Sequence, residues 1–287
     1  AATGVNGDET DDSALYSGAA YVYTRHSGGV WTQQAYLKAS NTDAEDTFGW
    51  FVALSGDGTA LAVGAIGEDG AATGVNGIET DNSAYGSGAV YVFARDIGGN
   101  WLQEAYIKAS NTGRYDNFGS SIEMSDDGAT LAVSAGGESS AATGVNGDET
   151  DNSTQDAGAV YIFTRESGGA WSQQAYVKAS NTDVWDLFGH CIALSADGSM
   201  LVAGAMQEDG AAAGVNGDDA DNTANQAGAV YVFTRDSSDA WTQRAYVKPS
   251  DVRPLLFFGH GVAVSGEGTT LVVDALEDPG ALYFFEL

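Results

Sequence analysis

A 70-residue period that runs the length of the chain without drift limits what it can fold into more than any other feature. The phrase "AATGVNGDETDDSALYSGAAYVYTR" at Ala1 returns in nearly the same form at Ala71, Ala141 and Ala211. Trp31, Trp101, Trp171 and Trp241 keep step with it, as do Lys38, Lys108, Lys178 and Lys248, and Arg25, Arg95, Arg165 and Arg235. Phe48-Gly49 recurs as Phe118-Gly119, Phe188-Gly189 and Phe258-Gly259. Four units therefore share one backbone plan. They are joined without linkers, so residues 1–287 are expected to form a single domain of repeats 1–70, 71–140, 141–210 and 211–280 with a terminal strand at 281–287.

Each unit reads as four short strands. "GAVYVFAR" at Gly88 is a near-continuous apolar run, which suits a strand covered on both faces. "WLQEAYIKAS" at Trp101 is more polar, as an outer strand would be. "FGSSIEMS" at Phe118 and "ATLAVSA" at Ala129 follow, joined by the hairpin signal "DDG". No stretch holds a 3.6-residue period, and the three prolines all fall after residue 248. Tandem four-stranded units, apolar on both faces, predict an all-β fold. The expected architecture is a β-propeller of four-stranded antiparallel blades, with about four blade-equivalents per chain. A β-solenoid is the alternative, but its coils are normally shorter than this repeat.

"FGWFVALSGDGTALAVGAIGEDG" at Phe48 resembles the FG-GAP repeat of integrin alpha-type propellers and of many bacterial surface proteins. "FG" opens the first strand, and "GAIGED" at Gly64 stands where the family has Gly-Ala-Pro. The resemblance implies an extracellular or cell-surface binding or adhesion module. It also implies calcium in an Asp-rich loop between the first two strands. That loop is only a tight turn here, "SGDGT", so the family's usual metal site does not carry over.

In the family's phase, residues 48–110, 118–180 and 188–250 are complete blades. Residues 1–40 supply only third and fourth strands, and the segment from Phe258 supplies first and second ones. Joining these halves would close a ring in cis. The alternative is closure in trans, giving a structural protein that assembles head-to-tail. "GALYFFEL" at Gly280 repeats the third strand after its acidic loop is deleted, so Ala19–Arg25 and Ala281–Leu287 compete for one slot. A displaced apolar strand would favour self-association.

Charge narrows the partners. There are 40 acidic and 11 basic side chains, a formal net charge of −29. Nucleic acid is excluded as a partner, since phosphate binding needs clustered Lys and Arg. No apolar run is long enough to insert in a membrane. Cys191 stands alone, so no internal disulfide forms. The acidic phrase offers possible calcium ligands: Asn6, Asp8, Glu9 and Asp11, then Asn146, Asp148, Glu149 and Asp151, and Asn216, Asp218, Asp219 and Asp221. In the second unit Ile78 replaces the Asp8 equivalent. These residue types equally serve as turn formers that bind their own backbone.

The units differ most on either side of Phe-Gly. There the sequence offers Trp50, Arg114, Tyr115, Trp185, His190, Arg253 and His260, which a propeller would gather on one face around its axis. Aromatics with Arg and His suit a glycan or protein ligand. An enzyme, a lyase or hydrolase using His190 and His260, is the further alternative. No Walker loop, HExxH or CxxC motif appears.

Overall fold

The computed structural model describes residues 1–276 and 280–287. Among the described residues seventeen strands and no helix form five antiparallel sheets, the β-propeller architecture that the repeat predicts. A two-stranded sheet comes first, β1 (Ala20–Arg25) and β2 (Trp31–Leu37). Three four-stranded blades follow. The first holds β3 (Val52–Leu54), β4 (Ala60–Ala65), β5 (Ala89–Arg95) and β6 (Trp101–Ile107). The second holds β7 (Phe118–Met124), β8 (Thr130–Ala135), β9 (Ala159–Arg165) and β10 (Trp171–Val177). The third holds β11 (Phe188–Leu194), β12 (Met200–Ala205), β13 (Ala229–Arg235) and β14 (Trp241–Val247). The last sheet has three strands, β15 (Val262–Val264), β16 (Thr270–Ala275) and β17 (Ala281–Glu286).

Local chemistry explains the hairpins. In the turn between β3 and β4, Asp57 Oδ1 accepts from Thr59 N–H at 2.9 Å and from Ser55 Oγ at 2.8 Å. Gly58 takes φ +70°, where a side chain would be strained. Asp197 repeats the arrangement with Ser199 and Ser195.

Packing explains the near-continuous apolar strands. Each blade has an aliphatic face and an aromatic face. Val90, Val92, Ala105 and Ile107 of the first blade meet Phe118, Tyr161, Phe163, Trp171 and Tyr176 of the second. Val160, Ile162 and Val177 then meet Phe188, Tyr231, Phe233 and Trp241. The two flanking sheets join the stack in the same sense. Burying one such aromatic is worth about 1.5–3 kcal/mol, so each contact between blades is a core of its own.

The expected closure in cis is not what forms. β17 pairs with β16 through Thr270↔Glu286 to Ala275↔Ala281, so it fills the third-strand slot. β1 pairs with β2 alone. Among the described residues no strand pairing and no shared core joins the first sheet to the last. The reason lies in the sequence. With the acidic loop deleted, β17 reaches β16 through a short connection, whereas β1 stays anchored by β2 to the first full blade.

Candidate functional site

The inner strands of four successive units surround a cavity of about 690 Å³. Trp50 and Phe51 come from the start of the first blade, and Ser120 from β7. His190 and Cys191 come from β11, His260 and Gly261 from the segment before β15, and Asp274 from β16. The His190 and His260 rings lie 5.3 Å apart at 38°. His260 Nδ1 is 3.4 Å from Asp274 Oδ2, and Asp274 also accepts the Gly261 N–H. Burial holds His190 below the usual histidine range, and neighbouring His260 lowers it further. His190 is therefore a neutral imidazole at neutral pH, able to donate and accept one hydrogen bond each.

Strict alternation along a strand would turn Cys191 away from His190. The β11–β12 ladder instead breaks register between Phe188 and Ile192, and both side chains line the cavity. Burial pushes the Cys191 thiol up, so it is held as a thiol rather than as a nucleophilic thiolate.

The residues singled out around Phe-Gly do not all reach this cavity. Trp50, His190 and His260 do. Tyr115 lines a separate hollow of about 200 Å³ with Tyr85, its ring 5.4 Å away. Trp185 lines another of about 280 Å³ with Gln207 and Asp209. Arg253 pairs with Asp251 at 2.8 Å, and Arg114 lines none of these hollows. Glu45, Tyr115, Trp185 and Leu255 share φ values of 72°, 65°, 70° and 62°. Four non-glycine residues thus hold one left-handed backbone shape, and all four side chains are exposed. Sequence reasoning centred on Phe-Gly misses Asp274. Its signal is present, since the equivalent positions are Gly64, Ser134 and Gly204.

The acidic loops use their ligand atoms on themselves. Asp8 Oδ1 accepts from the Thr10 amide and hydroxyl at 2.9 and 2.7 Å, and Asp148 treats Thr150 identically. These bonds hold both carboxyls below their usual range. Asp11, Asp151, Asp218 and Asp221 each cap the backbone two residues on. Asn6, Asn146 and Asn216 accept the amides of Tyr36, Tyr176 and Tyr246 at 3.0 Å. Glu9 accepts from Gln33, while Glu149 and Asp219 accept from Ser110 and Ser180 of the preceding unit. Among the described residues no three His, Cys, Asp or Glu side chains gather as a metal site. These oxygens accept hydrogen bonds from loop amides, from the adjoining strand or from the preceding unit.

One carboxylate stands apart. Glu123 on β7 has no hydrogen-bond or ion-pair partner among the described residues, and burial pushes it up to about 7. The equivalent positions are Ala53, Ala193 and Ala263.

Fold and site together define a β-propeller repeat protein with an axial pocket on its inner strands. Residues 31–93 and 101–163 match the FG-GAP repeat, so this chain carries repeats of the FG-GAP type. No curated protein matches it in sequence. Solved structures that resemble it include a putative 6-phosphogluconolactonase from Bacteroides uniformis. That likeness has 13% identity and a TM-score of 0.48, over 93% of this chain and 63% of that one. A putative TolB from Agrobacterium tumefaciens is similar at 13% identity and a TM-score of 0.43, over 90% and 62%. The chain thus spans just under two thirds of the length of these two proteins. No helix among the described residues is long and apolar enough to cross a membrane.

Proposed function

We propose that the chain is an extracytoplasmic binding module whose axial pocket takes a saccharide, serving recognition or adhesion at a surface. One observation carries this reading. The cavity is lined where the four units differ, while positions where they agree are spent on packing between blades. The lining is also of the right kind. Trp50 is more than half exposed and offers an aromatic face to a sugar ring. His190, His260 and Asp274 supply directional hydrogen bonds for hydroxyls. Saturation-transfer NMR against a panel of mono- and disaccharides tests the proposal. Transfer to at least one saccharide is expected, with affinity falling about tenfold in Trp50→Ala, the loss of one stacked ring. Absence of transfer to every saccharide, or transfer undiminished by Trp50→Ala and Asp274→Asn together, would refute it.

A further inference from the structure

The hollow beside Tyr115 stands on a scaffold that every unit shares, but its side chains occur at one junction alone. The repeat aligns Leu15, Tyr85, Gln155 and Asn225, and it aligns Glu45, Tyr115, Trp185 and Leu255. In all four units the amide of the second residue donates to the carbonyl of the first, at 2.8, 2.9, 3.0 and 2.9 Å. Only where the connections into β5 and β7 meet does this bond bring two aromatic side chains together, Tyr85 and Tyr115.

The two ring planes stand at 65°, which makes a corner rather than a stack. Both rings are about half exposed, so their faces are open to a guest. Gly86 lies at the foot of the corner, where a Cβ would touch the Tyr115 ring at 3.5 Å. The other units carry Tyr16, Asp156 and Gln226 at that position. Charge is the second, independent observation. Glu45 and Asp69 line the same hollow, and no Lys or Arg does. Asp69 Oδ1 accepts the Gly86 N–H at 2.7 Å, and its Oδ2 has no hydrogen-bond partner among the described residues.

Ring faces and carboxylates attract the same guest, a cation with an apolar surface. The face of an aromatic ring is its negative side and draws a cation to within about 6 Å of the centroid. A hard metal ion wants six to eight oxygens instead, and aromatic walls supply none. At about 200 Å³ the hollow is smaller than the roughly 300–1,000 Å³ of a drug-sized site, so it takes a single headgroup. We propose that this hollow binds a quaternary ammonium group. The methyl groups rest against Tyr85 and Tyr115, and the charge faces the side of the hollow that Asp69 and Glu45 line.

The probe is choline, titrated into the full chain by calorimetry. Physiological salt screens the general pull of a chain with net charge −29 beyond about 8 Å. One saturable site is expected. The uncharged analogue of choline, with carbon in place of nitrogen, has the same shape and should bind about tenfold more weakly, the worth of a partly desolvated cation–π contact. Tyr85→Ala and Tyr115→Ala should each weaken choline about three- to tenfold. Tyr115→Phe should retain it, because the ring face and not the hydroxyl makes the contact. Asp69→Asn keeps an acceptor for the Gly86 amide and should still weaken choline several-fold. The comparison of choline with its analogue leaves the protein untouched, so it decides the matter even if an alanine variant misfolds. A peptide carrying trimethyllysine, titrated alongside, identifies the source. Tighter binding of the peptide assigns the group to a modified protein and tighter binding of choline assigns it to a free solute, and either supports the site. Equal binding of choline and its analogue, no saturation by about 10 mM choline, or binding undiminished when Tyr85→Ala and Tyr115→Ala are combined would overturn it. Trp50 lines the axial pocket and not this hollow, while Tyr85 and Tyr115 line this hollow and not that pocket, so either proposal can fail alone.

Discussion

The first sheet and the interior blades are written in the same words but live in different surroundings. Trp101, Trp171 and Trp241 are buried against the preceding unit, and their indole N–H groups reach Gln34, Glu104 and Gln174. Trp31, which no preceding unit covers among the described residues, is 62% exposed. Tyr91, Tyr161 and Tyr231 are sealed and donate to Asn41, Asn111 and Asn181 at 2.5 Å, whereas Tyr21 is half exposed. A blade's core is therefore made largely by its neighbour. The repeat encodes half of each contact twice over, an aliphatic face that looks one way and an aromatic face that looks the other.

Paired substitutions break this comparison most sharply. Trp171→Ala should cost about 3–5 kcal/mol in urea unfolding, as a large core truncation does, while Trp31→Ala costs under about 0.5 kcal/mol, like other exposed sites. Equal losses would mean that the first sheet is covered. Lys178→Met should cost about 3–5 kcal/mol, because it strands Glu138 as a buried charge without its cation. Lys38→Met strands no carboxylate and should lie within about 1 kcal/mol of the parent.

The interior blades also differ among themselves at Glu123, where the other units have alanine. Its folded pKa of about 7 lies above its unfolded value. Between roughly pH 4.5 and 7 the folded chain keeps a proton that the unfolded chain has lost. Stability from this group is thus present at low pH and lost as pH rises through that window. Glu123→Gln should raise stability by about 1–3 kcal/mol at pH 8, with the gain vanishing near pH 4. Asp186, raised to about 7 by burial, acts in the same sense. A gain that is the same at both pH values would assign the effect to packing instead.

The smallest effect concerns the acidic loops. Their carboxylates are occupied with their own amides, so millimolar calcium or EDTA should move the melting temperature by less than about 1 °C, far below the several degrees of a 1 kcal/mol stabilisation. A calcium-dependent rise of several degrees would show that the loops rearrange around the ion.

Much of this was legible in the sequence because the repeat states it four times. Strand order, the Asp-capped turns at Asp57 and Asp197, and the inner position of Phe-Gly all follow from local pattern. What stayed hidden depends on relations between units. Lys38 and Lys108 look alike in sequence, and only the position of Glu68 in space separates them. The competition between β1 and β17 could be named, but its outcome turned on connection length rather than on strand chemistry. The pocket was half legible. His190 and His260 showed as departures from the repeat, while the ladder break that brings Cys191 beside His190 was marked only by Gly189, a strand glycine at φ +82°.

Native-state hydrogen exchange, residue by residue, compares the two surroundings most directly. The account predicts that amides of Ala20–Arg25 on the edge away from β2 exchange through local opening. The matching amides of β9, Ala159–Arg165, should exchange only near the global unfolding limit, slower by orders of magnitude. Equal, strong protection of both strands would contradict it, because β1 would then not be an edge strand.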